Sequence, residues 1–372
     1  MSLRPFRPVW LATAALLLAP SAASAAWTEL PTPNVPGAVS SLEAVDCSSA
    51  NSCIAVGGWF SGPPIDLETG SLAERWDGTS WQILPAPSGQ GALADVSCPW
   101  PTFCFAVGST GTGVLVEVWN GTRWSVQSTP AVPNGALEAV SCSGILACTA
   151  VGRDGTGGAL ALRWEGAGWH VQPTPDAPGS DSTQLNDVSC PLKRTCTAVG
   201  SSSTGPPGVN EILPFVTRWF GRVNAWGLQS APKPAGADSA YLDGVSCPVA
   251  PVCVAVGRSS VDLGPDTAMA ERRIGPTWSL LPTPPGASRL EAVSCPTLAL
   301  CRAIGTAPDN FTQIAERFDG TNWQLETIPL TVSGGPRPSL TGVSCPSRFF
   351  CMTVGNVSFR SSGGPLSAKW TP

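Results

Sequence analysis

Acidic residues recur at the start of a short apolar segment that repeats along the chain. Carboxylate oxygens are the ligands that Ca²⁺ prefers, and six to eight of them at about 2.3–2.6 Å complete its coordination. Converging acids could therefore hold a calcium ion or a polar ligand, whereas acids bonded to water or backbone would hold neither. No other cofactor is expected. The recurring acids are Glu43, Asp95, Glu138, Asp187, Asp243 and Glu291, and the metal candidates among them are Glu43, Glu138, Asp187, Asp243 and Glu291.

One position combines residue types that cleave glycans. Tyr241 is the only tyrosine and stands two residues before Asp243. Sialidases use a nucleophilic tyrosine, and an inverting glycosidase needs two carboxylates about 6.5–9.5 Å apart. The inverting pair would come from Asp187, Asp243 and Glu291, so the catalytic candidates are Tyr241, Asp243 and Glu291. Arginines that could surround the tyrosine are Arg153, Arg258, Arg289 and Arg337. The single histidine, His170, argues against mechanisms that need an imidazole.

Fourteen cysteines form seven pairs with one spacing, Cys-x5-Cys. Zinc sites use shorter Cys-x2-Cys steps together with histidines, which this chain lacks apart from one. The pattern therefore predicts seven local disulfides formed in an oxidising compartment. The predicted bonds are Cys47–Cys53, Cys98–Cys104, Cys142–Cys148, Cys190–Cys196, Cys247–Cys253, Cys295–Cys301 and Cys345–Cys351.

The elements that position these residues follow from the repeat that the cysteines mark. Its length is typical of propeller blades, and each repeat holds four strand-like segments, A to D. Strand A ends at the first cysteine, strand B begins at the second, and strands C and D flank a Trp-x-Gly-x-x-Trp turn such as 76–81. A tryptophan that recurs in this turn could form a platform on which sugars stack, but an aromatic at one position in most repeats favours packing between blades. In strand C, Glu followed by Arg, as at 74–75, 271–272 and 316–317, suggests a structural ladder of salt bridges.

The two ends of the chain complete one repeat between them. Residues 27–33 read as a strand D with no A, B or C before them, and the last repeat stops after its strand C. Pairing these ends leaves no sheet incomplete, whereas an open array would leave unpaired edges. The sequence therefore predicts an all-β, seven-bladed β-propeller of four-stranded antiparallel blades, closed by the N-terminal strand. A tandem array of β-sandwiches is the alternative, and the split repeat argues against it.

The first 26 residues read as a signal peptide, with Arg4 and Arg7 before the apolar run 10–19 and small residues at 21–26. The run is too short for a membrane anchor. We expect a single domain over 27–372, secreted to an extracellular or periplasm-like compartment, without stable membrane insertion. The net charge is −5, and the chain has no basic stripe, which excludes nucleic acid as an expected partner.

Two of the strand C to strand D turns, Asp77-Gly78-Thr79-Ser80-Trp81 and Asp319-Gly320-Thr321-Asn322-Trp323, resemble the Asp-box of sialidase-type propellers, although here Asp and Gly adjoin. The repeat length is similar to that of kelch blades, without their double glycine. The Ser-Cys-Pro…Cys-x-Ala-Val-Gly repeats, which span nearly the whole of 27–372, most resemble uncharacterised exported bacterial proteins. These resemblances imply the fold and bring no known activity.

Function is expected on the face that varies between repeats. The A–B and C–D turns share one uniform face, whereas the B–C and D–A loops on the other face differ in length and chemistry. We expect a non-catalytic binding or scaffold protein whose variable face recognises an extracellular glycan, cell-wall polymer or protein; the alternative is a glycan-active enzyme at the channel mouth. The binding candidates are Trp59, Phe60, Tyr241, Asp243 and Arg289. A rival contact site is the uniform face, with aromatics at Trp100, Phe103, Phe349 and Phe350.

Overall fold

A computed structural model of the chain describes residues 26–62, 67–86, 91–205, 211–262, 264–330, 337–358 and 363–372. The proposed signal peptide, except for Ala26, lies outside the described residues. Over the described ranges the chain forms 28 β-strands and no helix, so the fold is all-β. No helix long and apolar enough to cross a membrane occurs in these ranges.

The strands pair antiparallel in groups of four consecutive chain segments. Five groups are separate four-stranded sheets, and two more are joined into one eight-stranded sheet by a single parallel bridge, Ile212 to Ser239. We interpret each group of four as one blade and number the blades 1 to 7 in chain order. In six blades every strand pairs with the next along the chain, as in a meander; in the seventh, the outermost strand is the first strand of the chain. The architecture is that of a β-propeller.

Strands at equivalent positions of successive blades are named A to D. The A strands are β2 (Val39–Ser49), β6 (Ala92–Trp100), β10 (Ala136–Gly144), β14 (Ser182–Leu192), β18 (Ser239–Val249), β22 (Arg289–Thr297) and β26 (Arg337–Ser347). The B strands are β3 (Ser52–Ser61), β7 (Phe103–Ser109), β11 (Ala147–Arg153), β15 (Thr195–Thr204), β19 (Val252–Ser260), β23 (Leu300–Thr306) and β27 (Phe350–Ser358).

The outer half of each blade consists of the C and D strands. The C strands are β4 (Glu68–Trp76), β8 (Val114–Trp119), β12 (Ala159–Trp164), β16 (Glu211–Phe220), β20 (Thr267–Ile274), β24 (Gln313–Phe318) and β28 (Gly364–Thr371). The D strands are β5 (Trp81–Leu84), β9 (Trp124–Val126), β13 (Trp169–Gln172), β17 (Ala225–Gln229), β21 (Thr277–Leu281), β25 (Trp323–Thr327) and, from the start of the chain, β1 (Ala26–Leu30).

The N-terminal strand completes the last blade, as the split repeat predicts. Strand β1 pairs antiparallel with β28, with Trp27 opposite Trp370. Trp27 is buried, and its indole Nε1 donates a hydrogen bond to Glu326 Oε2 of blade 6 at 3.1 Å. The A strands also contact one another in order, and β26 contacts β2. The inner strands therefore form a closed ring around a central channel.

Every A strand carries a β-bulge at the same point. In blade 1 the pairing with β3 runs from Leu42 opposite Gly57 to Ala44 opposite Val56, so Glu43 has no partner across the strands. A bulge re-aims a side chain, and here it turns the extra residue towards the channel. The bulge also explains the glycine of each Ala-Val-Gly repeat: a Cβ on Gly57 would lie 2.1 Å from the Ser41 carbonyl oxygen.

A ring of hydrogen bonds joins all the A strands. In each blade the residue before the first cysteine accepts a hydrogen bond from the backbone N–H of the first cysteine in the next blade, at 2.6–3.0 Å. The acceptor is a serine hydroxyl in six blades and the Asp46 carboxylate in blade 1. The bonds are Asp46 to Cys98, Ser97 to Cys142, Ser141 to Cys190, Ser189 to Cys247, Ser246 to Cys295, Ser294 to Cys345 and Ser344 to Cys47.

The cores lie between adjacent blades. Trp76 of blade 1, for example, is buried with Phe350, Met352 and Val354 of blade 7, as expected for a repeated aromatic that packs blades together. All seven disulfides have the predicted pairing. Each clamps the two-residue turn between an A and a B strand, at 50–51 in blade 1. Burying apolar surface on both sides of each blade makes the blades depend on one another.

The predicted salt-bridge ladder on the C strands is wrong. Successive residues of a strand point to opposite faces, so Glu74 and Arg75 cannot share one face of β4. Glu74, Glu271 and Glu316 are wholly buried between blades, and neither carboxyl oxygen of any of the three has a hydrogen-bond partner. Burial raises the pKa of Glu74 and Glu271 to about 8 and that of Glu316 to about 7.

The propeller has two unlike faces. We call the face that bears the A–B turns (50–51, 101–102, 145–146, 193–194, 250–251, 298–299 and 348–349) the cystine face, because a disulfide clamps every turn on it. The opposite side, where the A strands begin, is the loop face. The C–D turns also lie on the cystine face, and Asp77 and Asp319 brace two of them by accepting the backbone N–H groups of residues two and three positions on.

Candidate functional site

A cavity of about 350 Å³ occupies the channel and is lined by residues of all seven A strands. The bulges determine its chemistry, since the bulged residues are Glu43, Ala94, Glu138, Asn186, Asp243, Glu291 and Thr341. Four of these seven are acids. Four of the six acids singled out from the sequence therefore occupy equivalent positions at the loop-face end of the channel.

Asp95 and Asp187 are not members of that set. Each follows the bulged residue by one position, so its side chain lies deeper in the channel. Asp95 accepts the Val140 N–H of the next blade at 2.7 Å, and Asp187 accepts the Val245 N–H at 2.6 Å. These carboxylates join blades, as the backbone-bonding alternative predicts.

Burial perturbs the channel acids. It raises the pKa of Asp95 well above the ordinary value, with the nearby Asp187 carboxylate adding to the effect. Burial likewise raises the pKa of Asp187 to about 7 and raises that of Asp46. Bonds from backbone N–H groups oppose these increases without cancelling them, because they favour the charged form. The inner channel is therefore a place where carboxyl groups keep their protons to higher pH than usual.

Three of the bulge acids pair with arginines of their own blades. Glu138 lies 3.7 Å from Arg153, Asp243 lies 3.0 Å from Arg258, and Glu291 lies 2.7 Å from Arg289. Carboxylate–guanidinium pairs therefore line the loop-face mouth of the channel at blades 3, 5 and 6. Each guanidinium has five N–H donors, so one carboxylate does not exhaust it.

The richest part of the mouth lies on blades 5 and 6. The Arg258 guanidinium stacks on the Tyr241 ring, 4.3 Å from its centre, and also lies 3.5 Å from Asp266. Burial raises the pKa of Tyr241, and the Arg258 charge opposes this increase. Burial also raises the pKa of Asp243 to about 7, again against the effect of Arg258. We call Tyr241, Asp243, Arg258, Arg289 and Glu291 the mouth cluster.

Two predicted binding residues lie away from the mouth cluster. Trp59 and Phe60 belong to strand β3, because the B–C hairpin of blade 1 extends further than the sequence suggested, pairing Phe60 with Thr69. Trp59 is half-buried and lies opposite Gly70 on the neighbouring strand. Its ring packs so closely over Gly70 that a side chain at that position would clash with it. Phe60 is 47% exposed. Trp59 therefore packs within the hairpin, whereas Phe60 presents an exposed apolar surface.

The predicted metal ligands are spread around the channel and do not meet at one point. Within the ranges that the structure describes, no three His, Cys, Asp or Glu side chains are grouped closely enough to hold a metal ion. The physical reason is that Glu138, Asp243 and Glu291 turn to arginines, whereas Asp187 turns to backbone N–H groups. Calcium binding by these residues stays an untested expectation.

The arginines proposed to surround Tyr241 are dispersed. Arg258 contacts the ring, whereas Arg153 pairs with Glu138 in blade 3 and Arg337 stacks on Phe311 at 4.7 Å. Within the rival site, Phe350 is buried, while Trp100 and Phe349 are 59% and 55% exposed. The sequence did not predict the roles of Asp46, which accepts the Cys98 N–H, or of Asp266, which lies 3.5 Å from Arg258. The signal for Asp46 was that the residue before the first cysteine is an acid in this repeat and a serine in the others.

No protein-family model matches the chain, and no curated protein matches its sequence. Solved structures do resemble it. One described as YCF48 bound to D1 peptide aligns with a TM-score of 0.58 at 12% identity, covering 95% of this chain and 96% of that chain. Sqt1 from Chaetomium thermophilum aligns with a TM-score of 0.54 at 11% identity, covering 90% and 88%. The six-bladed β-propeller lectin of Aleuria aurantia aligns with a TM-score of 0.48 at 10% identity, covering 76% and 88%. Likeness at such identities concerns the fold alone.

Proposed function

We propose that the chain is a non-catalytic binding or scaffold protein that recognises an extracellular glycan, cell-wall polymer or protein on its loop face. The observation that carries this proposal is the mouth cluster, which gathers an aromatic ring, two arginines and two carboxylates beside the channel cavity. Binding sites combine a concave surface with a few well-placed polar groups. Arg289 is 36% exposed along its side chain and Glu291 24%, so both can reach a ligand.

The cluster suits a ligand that both donates and accepts hydrogen bonds. Arginine donors lie beside carboxylate acceptors in the cluster, and sugar hydroxyls or peptide amides and carbonyls complement both. A peptide ligand is compatible with the fold, since a structure of similar shape is described as YCF48 bound to D1 peptide. The five residues lie on strands β18, β19 and β22 and not in the variable loops, so the strand ends at the loop face would contact the ligand.

Two features argue for binding without catalysis. A tyrosine nucleophile needs activation, but burial raises the pKa of Tyr241 and the Arg258 guanidinium covers its ring. Asp187, a candidate for an inverting pair, is held by the N–H groups of Val188 and Val245. The enzyme alternative rests on Asp243, whose pKa of about 7 suits a general acid.

The test is a glycan and cell-wall polymer array, followed by affinity measurement on any ligand found. We expect Arg289→Gln to weaken binding about tenfold, because a hydrogen bond to a charged group contributes about 1.5–3 kcal/mol, and Tyr241→Phe about fivefold, because a neutral one contributes about 0.5–1.5 kcal/mol. Arg337→Gln is the control, since Arg337 is an exposed arginine of blade 7 that stacks on Phe311. Equal loss in the control, or no loss in either site variant, would refute the assignment of the site.

The same preparation tests the enzyme alternative. Aryl glycosides and aryl sialosides should release no chromophore above the buffer rate. Release that Asp243→Asn abolishes and Arg337→Gln leaves unchanged would show that the mouth cluster is catalytic, and would overturn the non-catalytic proposal.

A further inference from the structure

The cystine face carries an apolar and basic projection at blade 4. The A–B and C–D turns of this blade meet, since the Gly221 N–H donates to the Arg194 carbonyl at 3.1 Å. We call Leu192, Lys193, Arg194, Phe220, Arg222 and Val223 the basic tip. Val223 is 71% exposed, Leu192 56% and Phe220 38%, and the three cationic side chains are exposed as well.

The basic tip differs from the equivalent turns of blades 1 and 6. The C–D turns of blades 1 and 6 begin with Asp77 and Asp319 and close within four residues, whereas the C–D turn of blade 4 has Arg222 and Val223 and no acid. In the described part of the chain, none of the salt bridges involves Lys193, Arg194 or Arg222. Its cations therefore have no carboxylate partner among the residues that the structure describes.

The flanking blades extend the apolar surface. Leu146 of blade 3 is 53% exposed, and Val249 and Ile274 of blade 5 are 45% and 60% exposed. The C–D turn of blade 3, beside the tip, carries an acid, Glu165, which lies 3.4 Å from Arg163 of the same blade. Arg163 is itself buried, and its guanidinium donates to the Lys193 carbonyl. This hydrogen bond from blade 3 holds the A–B turn of blade 4, and with it the side chains of the basic tip, in place.

We propose that the basic tip docks the protein on the surface of an anionic lipid bilayer. Apolar side chains at the ends of projecting turns can enter the boundary between headgroups and acyl chains, while cations beside them stay among anionic headgroups. The net charge of the chain is −5, so the molecule as a whole is repelled by such a surface. The local positive charge of the tip therefore orients the approach.

This docking leaves the mouth cluster free. The basic tip lies on the cystine face, and the mouth cluster lies at the loop-face end of the channel. A molecule resting on the bilayer through blade 4 would present its loop face away from the membrane. The proposal stands independently of the proposed ligand site, because it depends on none of the mouth residues.

Vesicle co-sedimentation with the full chain tests the proposal. We expect binding to mixed phosphatidylcholine–phosphatidylglycerol vesicles, much weaker binding to phosphatidylcholine vesicles, and a decrease as salt is added. Each cation near such a surface is worth about fivefold in affinity, so K193Q/R194Q/R222Q together should weaken binding about a hundredfold. Val223→Asp should weaken it about tenfold, because an apolar side chain no longer enters the interface.

Leu298→Asp is the matched control. Leu298 is a 46% exposed apolar residue in the A–B turn of blade 6, which carries no cation between its cysteines, and its replacement should leave vesicle binding unchanged. All the variants alter exposed side chains, and equal melting temperatures would verify that they fold. Equal binding to both kinds of vesicle, or equal loss in Leu298→Asp and Val223→Asp, would overturn the proposal. Binding that needs the three cations but tolerates Val223→Asp, and that soluble polyphosphate abolishes, would show a polyanion site in place of bilayer docking.

Discussion

Replacing the buried Glu74 by glutamine should make the protein more stable at neutral pH. Glu74 lies on β4 between blades 7 and 1, on the face of that strand occupied by Leu72 and Trp76. Its carboxyl oxygens have no hydrogen-bond partner, and burial raises its pKa from 4.5 to about 8. Glutamine has the same shape and stays neutral, so Glu74→Gln removes the ionisation and little else.

The sign of the effect follows from proton binding. Between pH 4.5 and about 8 the folded state holds the proton of Glu74 and the unfolded state has released it. Stability falls with rising pH wherever the folded state binds more protons. Glu74 therefore costs nothing below pH 4.5, and its cost grows until the pH reaches about 8. Each pH unit above 4.5 is worth about 1.4 kcal/mol until the pH reaches the folded-state pKa. Glu74 should therefore lower the free energy of unfolding by about 3 kcal/mol at neutral pH.

Urea unfolding with the disulfides intact measures this cost. The difference in free energy of unfolding between Glu74→Gln and the wild type should increase from its value near pH 4.5 to a plateau near pH 8. Glu68→Gln is the control, since Glu68 lies at the exposed end of the same strand. A Glu74→Gln difference that stays constant over this range would refute the argument, because it would mean that Glu74 ionises in the folded state as it does in the unfolded chain.

Two further predictions concern the closed ring. Trp27→Ala should lower the free energy of unfolding by about 3–5 kcal/mol, because Trp27 is buried in the strand that completes blade 7; denaturant unfolding measures it, and a variant as stable as the wild type would contradict closure through β1. Ser189→Ala should lower the free energy of unfolding by about 1–3 kcal/mol and speed hydrogen exchange at the Cys247 amide, because that amide loses its acceptor. Ser48→Ala, at the exposed end of β2, is the control and should change neither quantity. Unchanged exchange at Cys247 would show that the hydrogen-bond ring contributes no protection.

The architecture could be predicted because its signals are local and repeated. Cysteine pairs separated by five residues are held close by any hairpin, so their bonds need no knowledge of the rest of the fold. Closure through β1 could be inferred because the first and last segments are complementary parts of one repeat. A split repeat has few physical solutions other than a ring, since unpaired strand edges are costly.

The candidate site was predictable in composition but not in geometry. The acids at 95 and 187 were grouped with those at 43 and 243, because the position of a one-residue bulge decides which side chain enters the channel. The stacking of Arg258 on Tyr241 depends on the register of β18 against β19, which the same bulge shifts. The salt-bridge ladder failed for a reason that the sequence did contain, because neighbours on a strand cannot face the same partner.

The pairing of β1 with β28 has a consequence for the time course of synthesis. The strand at 26–30 is made before every other strand of the ring, and its partner at 364–371 is made after all the others. All the strands of blades 1 to 6 are therefore complete while β1 still waits without a partner. A polypeptide cut short before β28 would leave both β1 and the outer edge of β27 unpaired. The finished ring thus depends on translation having reached its last strand.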